Sequence, residues 1–251
     1  MKLLIKGGRV IDPANKIDGI KDILVENKII TKVADNINPM DEQVEIINAE
    51  GKIVTPGFID MHAHLREPGL EYKETIYSGT RAAAAGGFTA VACMPNTSPV
   101  MDNVDVVGYV NKQAEQVGIV NVLPVGAITK NQDGKELADI KKMVKAGICA
   151  ISEDGKTVMD SGILKEAMII AKELNIPMLS HCEDIALAKG FMNEGDTSKK
   201  LNIKGIGNDT EDVITARDII LAKYTGVKLH MCHVSTELSV DIIRFAKGLG
   251  V

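Results

Sequence analysis

The stretch that decides the fold of this chain is residues 53–69, IVTPGFIDMHAHLREPG. An apolar run typical of a buried strand leads into His62 and His64, and a polar turn containing Arg66 follows. Residues i and i+2 of a strand point to the same face, so both imidazoles project together at the carboxyl end of the strand. This pair suits a metal ion that takes two nitrogen ligands from one rigid element. Arg66 then stands at the rim, where a planar guanidinium binds a carboxylate well.

The composition is that of an ordinary globular protein. Of 251 residues, 45% are apolar and 25% are charged, and a net charge of −5 argues against nucleic-acid or anionic membrane partners. No apolar run reaches transmembrane length and the N-terminus lacks a signal-peptide core, so we expect a cytoplasmic protein. The four cysteines lie in apolar runs without Cys-x-x-Cys spacing, which predicts buried packing residues rather than disulfides or a thiolate metal site.

Two sequence patterns divide the chain. Residues 1–52 alternate short apolar runs with Gly, Asn and Asp and show no helical period, which predicts a small β domain. Residues 53–251 contain six apolar β-like runs, each followed by a helical run. Such units predict a parallel sheet covered by helices, either doubly wound or a (β/α)8 barrel. No Gly-rich phosphate motif follows the first strand, which disfavours the dinucleotide-binding form of the doubly wound sheet.

Metal-ligand side chains recur where the predicted strands end. They are His62 and His64 after the first strand, Asp154 after the fourth, His181 after the fifth and His233 after the sixth, with Asn96 after the second. In a barrel, functional groups gather at the carboxyl ends of the strands. We therefore expect these side chains to meet, although each taken singly could be a turn, surface or core residue.

Strand alternation decides between neighbouring candidates. Glu153 and Asp154 are adjacent, so only one can point inward, and we favour Asp154, since a carboxylate between two cations can bridge them. His230 and His233 are separated by an odd number of residues; we choose His233 and expect His230 to be structural or outward-facing.

The predicted ligands outnumber those that one tetrahedral zinc ion needs. Two ions a few ångströms apart would use all of them, with a carboxylate between the two cations able to bridge them. Alternation also turns Cys182 and Cys232 away from the site, as packing residues.

Five segments together, GFIDMHAHLREPG, ACMPNTSPV, ISEDG, LSHCED and HMCHVST, resemble the longer, multi-domain bacterial dihydroorotases of the amidohydrolase superfamily. The resemblance runs through the whole chain. It implies a metal-dependent-hydrolase TIM-type (β/α)8 barrel over residues 53–251, preceded by the N-terminal part of a small β-sandwich domain over residues 1–52. The implied reaction is the reversible, zinc-dependent conversion of dihydroorotate and water to N-carbamoyl-L-aspartate in de novo pyrimidine synthesis.

The same resemblance implies the roles of individual residues. Two zinc ions are expected, with ligands His62 and His64 for the first, His181 and His233 for the second, and Asp154 bridging both. Substrate contacts are expected from His64, Arg66 and Asn96, of which Arg66 and Asn96 match the binders of the substrate carboxylate. A homodimer is expected, and association with aspartate transcarbamoylase is a further partner that the family suggests.

The chain departs from the family pattern at its end. Only six of the eight barrel units precede Val251, and the family's Asp-His-Ala-Pro-His segment is absent. We therefore expect the N-terminal part of a longer enzyme, with the catalytic aspartate beyond Val251 and no proton shuttle within this chain. Two alternatives remain. One is a hydantoinase, dihydropyrimidinase or allantoinase, and Arg66 counts against the first two. The other is a silent dihydroorotase-like partner of transcarbamoylase, and the four ligand-type histidines count against it.

Overall fold

The protein is described by a computed structural model that covers residues 2–38 and 43–251. Two compact units divide the chain, Met1–Phe58 and Ile59–Val251. Among the helices described, none is both long and apolar enough to cross a membrane.

The first unit is built on one sheet. Its strands are β1 (Lys2–Asp12), β2 (Ile17–Glu26), β3 (Ile29–Ala34), β4 (Val44–Asn48) and β5 (Ile53–Val54). The order is β3-β2-β1-β4, and β5 also pairs with β1. Strands β1, β2 and β3 are antiparallel neighbours, whereas β4 and β5 run parallel to β1. Within the described part of this unit the structure has strands and no helix, as the sequence predicts.

The second unit alternates strands and helices. Its elements are β6 (Phe58–Ala63), α1 (Ile76–Ala85), β7 (Phe88–Cys93), α2 (Val104–Val117), β8 (Asn121–Ala127), α3 (Ile140–Ala146), β9 (Ala150–Ser152), α4 (Ser161–Glu173), β10 (Met178–Ser180), β11 (Met192–Asn193), α5 (Asp196–Lys200), β12 (Gly205–Ile206), α6 (Asp209–Thr225), β13 (Leu229–Met231) and α7 (Glu237–Gly248). Six strands form a curled sheet in the order β13-β10-β9-β8-β7-β6, and neighbours from β7 to β13 are parallel. The six predicted strand–helix units are confirmed.

Local sequence signals fix where the helices begin and end. The Thr75 side chain accepts the Ser78 N–H to start α1, and Asn103 does the same for two N–H groups at the start of α2. Gly147 and Gly226 end α3 and α6 in the left-handed conformation, which glycine adopts without a steric penalty. These caps therefore fix where the loops on either side of the helices begin and end.

The core has two layers. The larger cluster packs strand residues such as Val91 and Ile151 against helix residues such as Met168. The smaller cluster lies on the other face of the sheet and consists of Ala92, Met94, Val125, Ala150, Leu179 and Cys232. Side chains that continue this inner face beyond the strand ends therefore point toward a common centre.

The strand predicted to begin at residue 53 is divided and only partly buried. Ile53–Val54 forms β5 in the first unit's sheet, and β6 begins at Phe58 after a Pro-Gly pair. Proline has no N–H to continue a ladder, which explains the break. The prediction of a buried strand is wrong for Phe58 and Ile59, whose side chains are 52% and 61% exposed, since β6 is the last strand of the described sheet.

Candidate metal centre

His62 and His64 leave β6 on its inner face. Ala63 between them packs against the cluster on the helix side, so the flanking imidazoles project toward the opposite face. The His62 N–H donates to Asp60 Oδ1 over 2.9 Å, which fixes the backbone at this strand end. The alternation argument made from the sequence places these two histidines correctly.

Asp154 is held just beyond the end of β9. Its N–H donates to Ser152 Oγ over 3.1 Å, and that hydroxyl donates to the Leu179 carbonyl over 2.8 Å. The Asp154 side chain is only 4% exposed. Glu153 points elsewhere, because its carboxylate accepts the N–H groups of Ile128 and Thr129 over 3.1 and 3.0 Å. The structure thus places Asp154, not Glu153, toward the centre, as predicted.

Four imidazoles surround the Asp154 carboxylate. His62 Nε2 lies 3.2 Å from Oδ1 and His64 Nε2 lies 3.5 Å from Oδ2. His181 Nδ1 and His233 Nε2 lie 3.7 and 3.6 Å from Oδ1. The structure therefore brings together all five side chains that the sequence analysis selected as metal ligands.

The spacing within this group fits metal ions. His62 Nε2 and His64 Nε2 are 3.3 Å apart, and His181 Nδ1 and His233 Nε2 are 3.0 Å apart. Two nitrogens held at about 2.0–2.1 Å from one tetrahedral zinc ion would lie about 3.3 Å from each other. Donor atoms of His62, Asp154 and His233 also lie within 4.8 Å of one another. Two pairs of imidazoles thus share one carboxylate, whose Oδ1 faces His62, His181 and His233 and whose Oδ2 faces His64.

The electrostatics keep the central carboxylate charged. Burial alone would raise the pKa of Asp154, but hydrogen bonds from the surrounding imidazoles, His181 first, lower it well below its usual range. Burial likewise disfavours a charged His181, yet hydrogen bonds to Asp154 and Glu183 raise its pKa overall. The pKa of His64 is lowered, first by burial and further by the nearby charge of Arg66.

Two of the histidines have polar partners on the side away from Asp154. His64 Nδ1 lies 3.1 Å from Asn96 Oδ1, and Asn96 Nδ2 donates to Asp154 Oδ2 over 3.2 Å. His181 Nε2 lies 3.3 Å from Glu183 Oε2. Because an amide oxygen and a carboxylate only accept, these contacts place an N–H on His64 Nδ1 and His181 Nε2. In the neutral imidazoles that ligate a metal ion, the inward nitrogens are then left as acceptors.

Sequence reasoning missed both of these partnerships. It predicted Asn96 as a substrate binder and did not select Glu183. A usable signal existed for Glu183, since ligating histidines usually donate their second ring N–H to a carboxylate or carbonyl, and LSHCED supplies two carboxylates directly after His181. Nothing in the sequence identifies the bond between Asn96 and His64, because it joins loops from two different strands.

Arg66 stands beside the cluster, where its charge helps to lower the pKa of His64. Its side chain is half-buried, and within residues 2–38 and 43–251 it has no hydrogen bond or ion pair. The loop that carries it is tied to the loop after β7, because the Ser98 N–H donates to the Pro68 carbonyl over 3.0 Å. The two loops also approach closely at Gly69, where an added Cβ atom would lie 1.8 Å from the Ser98 carbonyl oxygen.

Two residues of the sixth strand do not follow the prediction. His230 pairs in register with Leu179, which belongs to the inner cluster, so of the two expected alternatives it matches the structural histidine and not the outward-facing one. Cys232 packs in the same inner cluster instead of turning away. The reason is that β13 ends at Met231 and His233 has a φ of 32°, so strand alternation does not extend this far. Burial, with the charge of Asp154, raises the pKa of the Cys232 thiol to about 12.

A cavity opens beside the second pair of histidines. It has a volume of about 260 Å³, and its lining includes His181, Glu183, Asn193, Asn208 and His233. Its polar walls provide space for a small molecule next to the imidazole cluster.

Comparison with known proteins gives relatives over the whole chain. The chain is 52% identical over 250 residues to a dihydroorotase of Acetivibrio thermocellus and 49% identical over 251 residues to one of Aquifex aeolicus. These alignments cover 99% and 100% of the chain but only 58% and 59% of the relatives. The chain therefore spans less than two thirds of the length of the curated relatives that it matches.

Solved structures with a similar fold come from hydantoinases. The L-hydantoinase of Arthrobacter aurescens superposes with a TM-score of 0.82 at 22% identity, and a D-hydantoinase of Thermus sp. superposes with a TM-score of 0.76 at 26% identity. Each match covers 99% of this chain and 56% of the other. These are TIM-barrel amidohydrolases, which confirms the predicted fold class.

The match to a protein-family model covers most of the chain. The model of the dihydro-orotase-like family matches residues 51–239, which include every proposed metal ligand. That segment is well over half of the chain, so the chain belongs to the dihydroorotase-like family.

Proposed function

We propose that this protein carries out the metal-dependent hydrolysis and formation of a cyclic amide, with dihydroorotate and N-carbamoyl-L-aspartate as the reactants. The observation that carries the proposal is the group of four imidazoles around the buried Asp154 carboxylate. Beside it lies the Arg66 guanidinium, which has no ion-pair partner among the described residues. The name dihydroorotase, shared by relatives about 50% identical, supports it. Enzymes of this family depend on metal ions.

The proposed cofactor is a pair of zinc ions. His62 and His64 would hold one ion and His181 and His233 the other, with Asp154 bridging both. When bound, the ions supply Lewis acidity, which polarises an amide carbonyl and lowers the pKa of water. The carboxylate of Asp154 provides the negative charge that two cations in a half-buried site need, and its lowered pKa keeps it ionised throughout the neutral range.

The proposed substrate contacts come from the loops after β6 and β7. Arg66 offers two parallel N–H donors, a geometry that matches a carboxylate better than a single ammonium does. Asn96 and His64 would provide the other substrate contacts. Both nitrogens of His64 already face protein groups, whereas the Asn96 amide keeps one N–H that is not used in its bond to Asp154. The substrate roles of these three residues stay predictions.

A substrate panel on the zinc-loaded protein tests the proposal. We expect calorimetry to show that dihydroorotate binds, and that it binds much more tightly than hydantoin and dihydrouracil, which lack the carboxylate. Arg66→Met should remove this preference. Arg81 is a matched control because it stacks on Tyr77 at 3.5 Å from the ring centroid, so Arg81→Met should leave the preference intact.

Two outcomes would replace the proposal. A preference for hydantoin that survives Arg66→Met would indicate a hydantoinase-type activity. Absence of zinc binding, together with co-purification with aspartate transcarbamoylase, would indicate a silent partner of that enzyme. For the active enzyme we propose a homodimer that works in the cytoplasm in de novo pyrimidine synthesis, and sedimentation of the purified protein tests the dimer.

A further inference from the structure

His233 is the least enclosed member of the imidazole cluster. Its side chain is 47% exposed, compared with 21% for His62 and 18% for His181. Its backbone has a φ of 32°, in the left-handed region that non-glycine residues rarely adopt. Packing alone therefore does not hold this imidazole toward Asp154, and the segment that carries it must be held by other contacts.

The segment between β13 and α7 is held at both ends. On one side, the Cys232 N–H donates to the Ser180 carbonyl over 3.0 Å. On the other side, the Glu211 carboxylate accepts the Ser235 N–H over 3.0 Å and the Thr236 N–H over 3.2 Å. The Ser235 hydroxyl also donates to Glu211 over 2.5 Å. The Thr236 hydroxyl adds a fourth donor over 3.1 Å, so four donors, two and three residues after His233, converge on one carboxylate.

Glu211 is well placed to serve as this anchor. It lies in the first turn of α6, a helix of 17 residues. The neighbouring Thr210 carbonyl accepts the Asp184 N–H over 2.9 Å, so the same turn also holds the loop after His181. Hydrogen bonds from Ser235 and Thr236 outweigh burial and lower the pKa of Glu211, which keeps it an acceptor.

We propose that Glu211 is a positioning residue for His233: its carboxylate fixes Ser235 and Thr236 so that the imidazole stays aimed at Asp154. Glu211 also lines the cavity beside His181 and His233, and it acts on His233 through the backbone of Ser235 and Thr236. The inference rests on the proposed metal centre. Polar partners behind metal ligands typically change metal affinity by about 10–100-fold when they are removed, which sets the expected size of the effect.

The test is zinc binding alone, measured by competition with a chromophoric chelator, alongside thermal unfolding of the metal-free protein. Glu211→Ala should weaken the binding of the ion held by His181 and His233 by about 10–100-fold. Glu211→Gln keeps one acceptor oxygen for the backbone N–H groups and should restore part of the affinity. Asp139→Ala is the matched control, since Asp139 caps α3 by accepting the Lys142 N–H away from the cluster. It should lower the melting temperature without changing zinc affinity.

The outcomes separate this inference from the metal centre itself. If Glu211→Ala binds zinc as tightly as the parent protein while His233→Ala loses zinc affinity, the positioning role is overturned and the proposed metal centre still stands. Parent affinity in both variants would overturn the centre. An equal loss in Asp139→Ala and Glu211→Ala would also overturn the positioning role, because it would show general destabilisation. Should Glu211→Ala not fold, Glu211→Gln decides, and parent affinity in that variant contradicts the proposal.

Discussion

Replacing Asn96 by alanine should weaken metal binding while leaving the fold intact. The amide links two members of the cluster: Oδ1 lies 3.1 Å from His64 Nδ1, and Nδ2 donates to Asp154 Oδ2 over 3.2 Å. The first contact fixes the His64 tautomer and the second orients the carboxylate. Alanine removes both contacts and introduces no charge.

The magnitude follows from these two bonds. The neutral bond to His64 contributes about 0.5–1.5 kcal/mol and the bond to the Asp154 carboxylate about 1.5–3 kcal/mol. Asn96 is half-buried, so water replaces part of what is lost. Removing polar partners of metal ligands typically costs about 10–100-fold in affinity, or about 1.4–2.7 kcal/mol, which lies within the range of the two bonds. We therefore expect zinc affinity to fall by about 10–100-fold.

The assay is zinc competition against a chelator, with Asn103→Ala as the matched control. Asn103 accepts N–H groups of α2 over 3.0 and 3.2 Å, so its loss should cost about 1 kcal/mol of unfolding free energy with no effect on zinc. Parent zinc affinity in Asn96→Ala would refute the reasoning, as would an equal loss of affinity in the Asn103→Ala control.

Three further predictions concern the loops, the core and pH. Gly69→Ala should lower dihydroorotate affinity, because its Cβ would lie 1.8 Å from the Ser98 carbonyl oxygen; Gly51→Ala, with a similar φ of 73° and nothing within 4 Å, should not. Met168→Ala should cost about 2–5 kcal/mol in urea unfolding, whereas the exposed Ile169→Ala should cost much less, and equal losses would contradict the core assignment. The pKa of Glu211 is lowered in the folded protein. Its contribution to the free energy of unfolding is therefore fully present above its ordinary pKa of 4.5 and is lost as the pH falls through its folded-state pKa. Glu211→Gln should therefore flatten the acid limb of the stability curve, and an unchanged limb would contradict this.

Much of the site could be predicted because it follows from strand geometry. His62 and His64 share a face by their spacing. Adjacency lets only one of Glu153 and Asp154 point inward, and because both follow the end of β9, their hydrogen bonds decide which. The repeated strand–helix pattern then brings the carboxyl ends of the strands to one edge, where the ligands meet. Both the spacing of these residues and the repeated strand–helix pattern can be read directly from the sequence.

The features that could not be predicted depend on contacts between loops. Asn96 reaches His64 from a different strand, and Glu211 reaches Ser235 from the preceding helix, so neither partner is visible in the local pattern. Alternation failed at Cys232 because the strand had already ended. It follows that strand periodicity predicts ligands well, but it does not predict the polar groups that orient them.

The most direct test of the central claim is zinc stoichiometry in the parent protein and in Asp154→Ala. The carboxylate lies 3.2–3.7 Å from all four imidazoles, with His62, His181 and His233 at Oδ1 and His64 at Oδ2. If it organises both metal subsites, the parent should bind two zinc ions per chain, and Asp154→Ala should lose tight binding at both while its metal-free form still folds. Retention of the parent stoichiometry and affinity in Asp154→Ala would contradict the account.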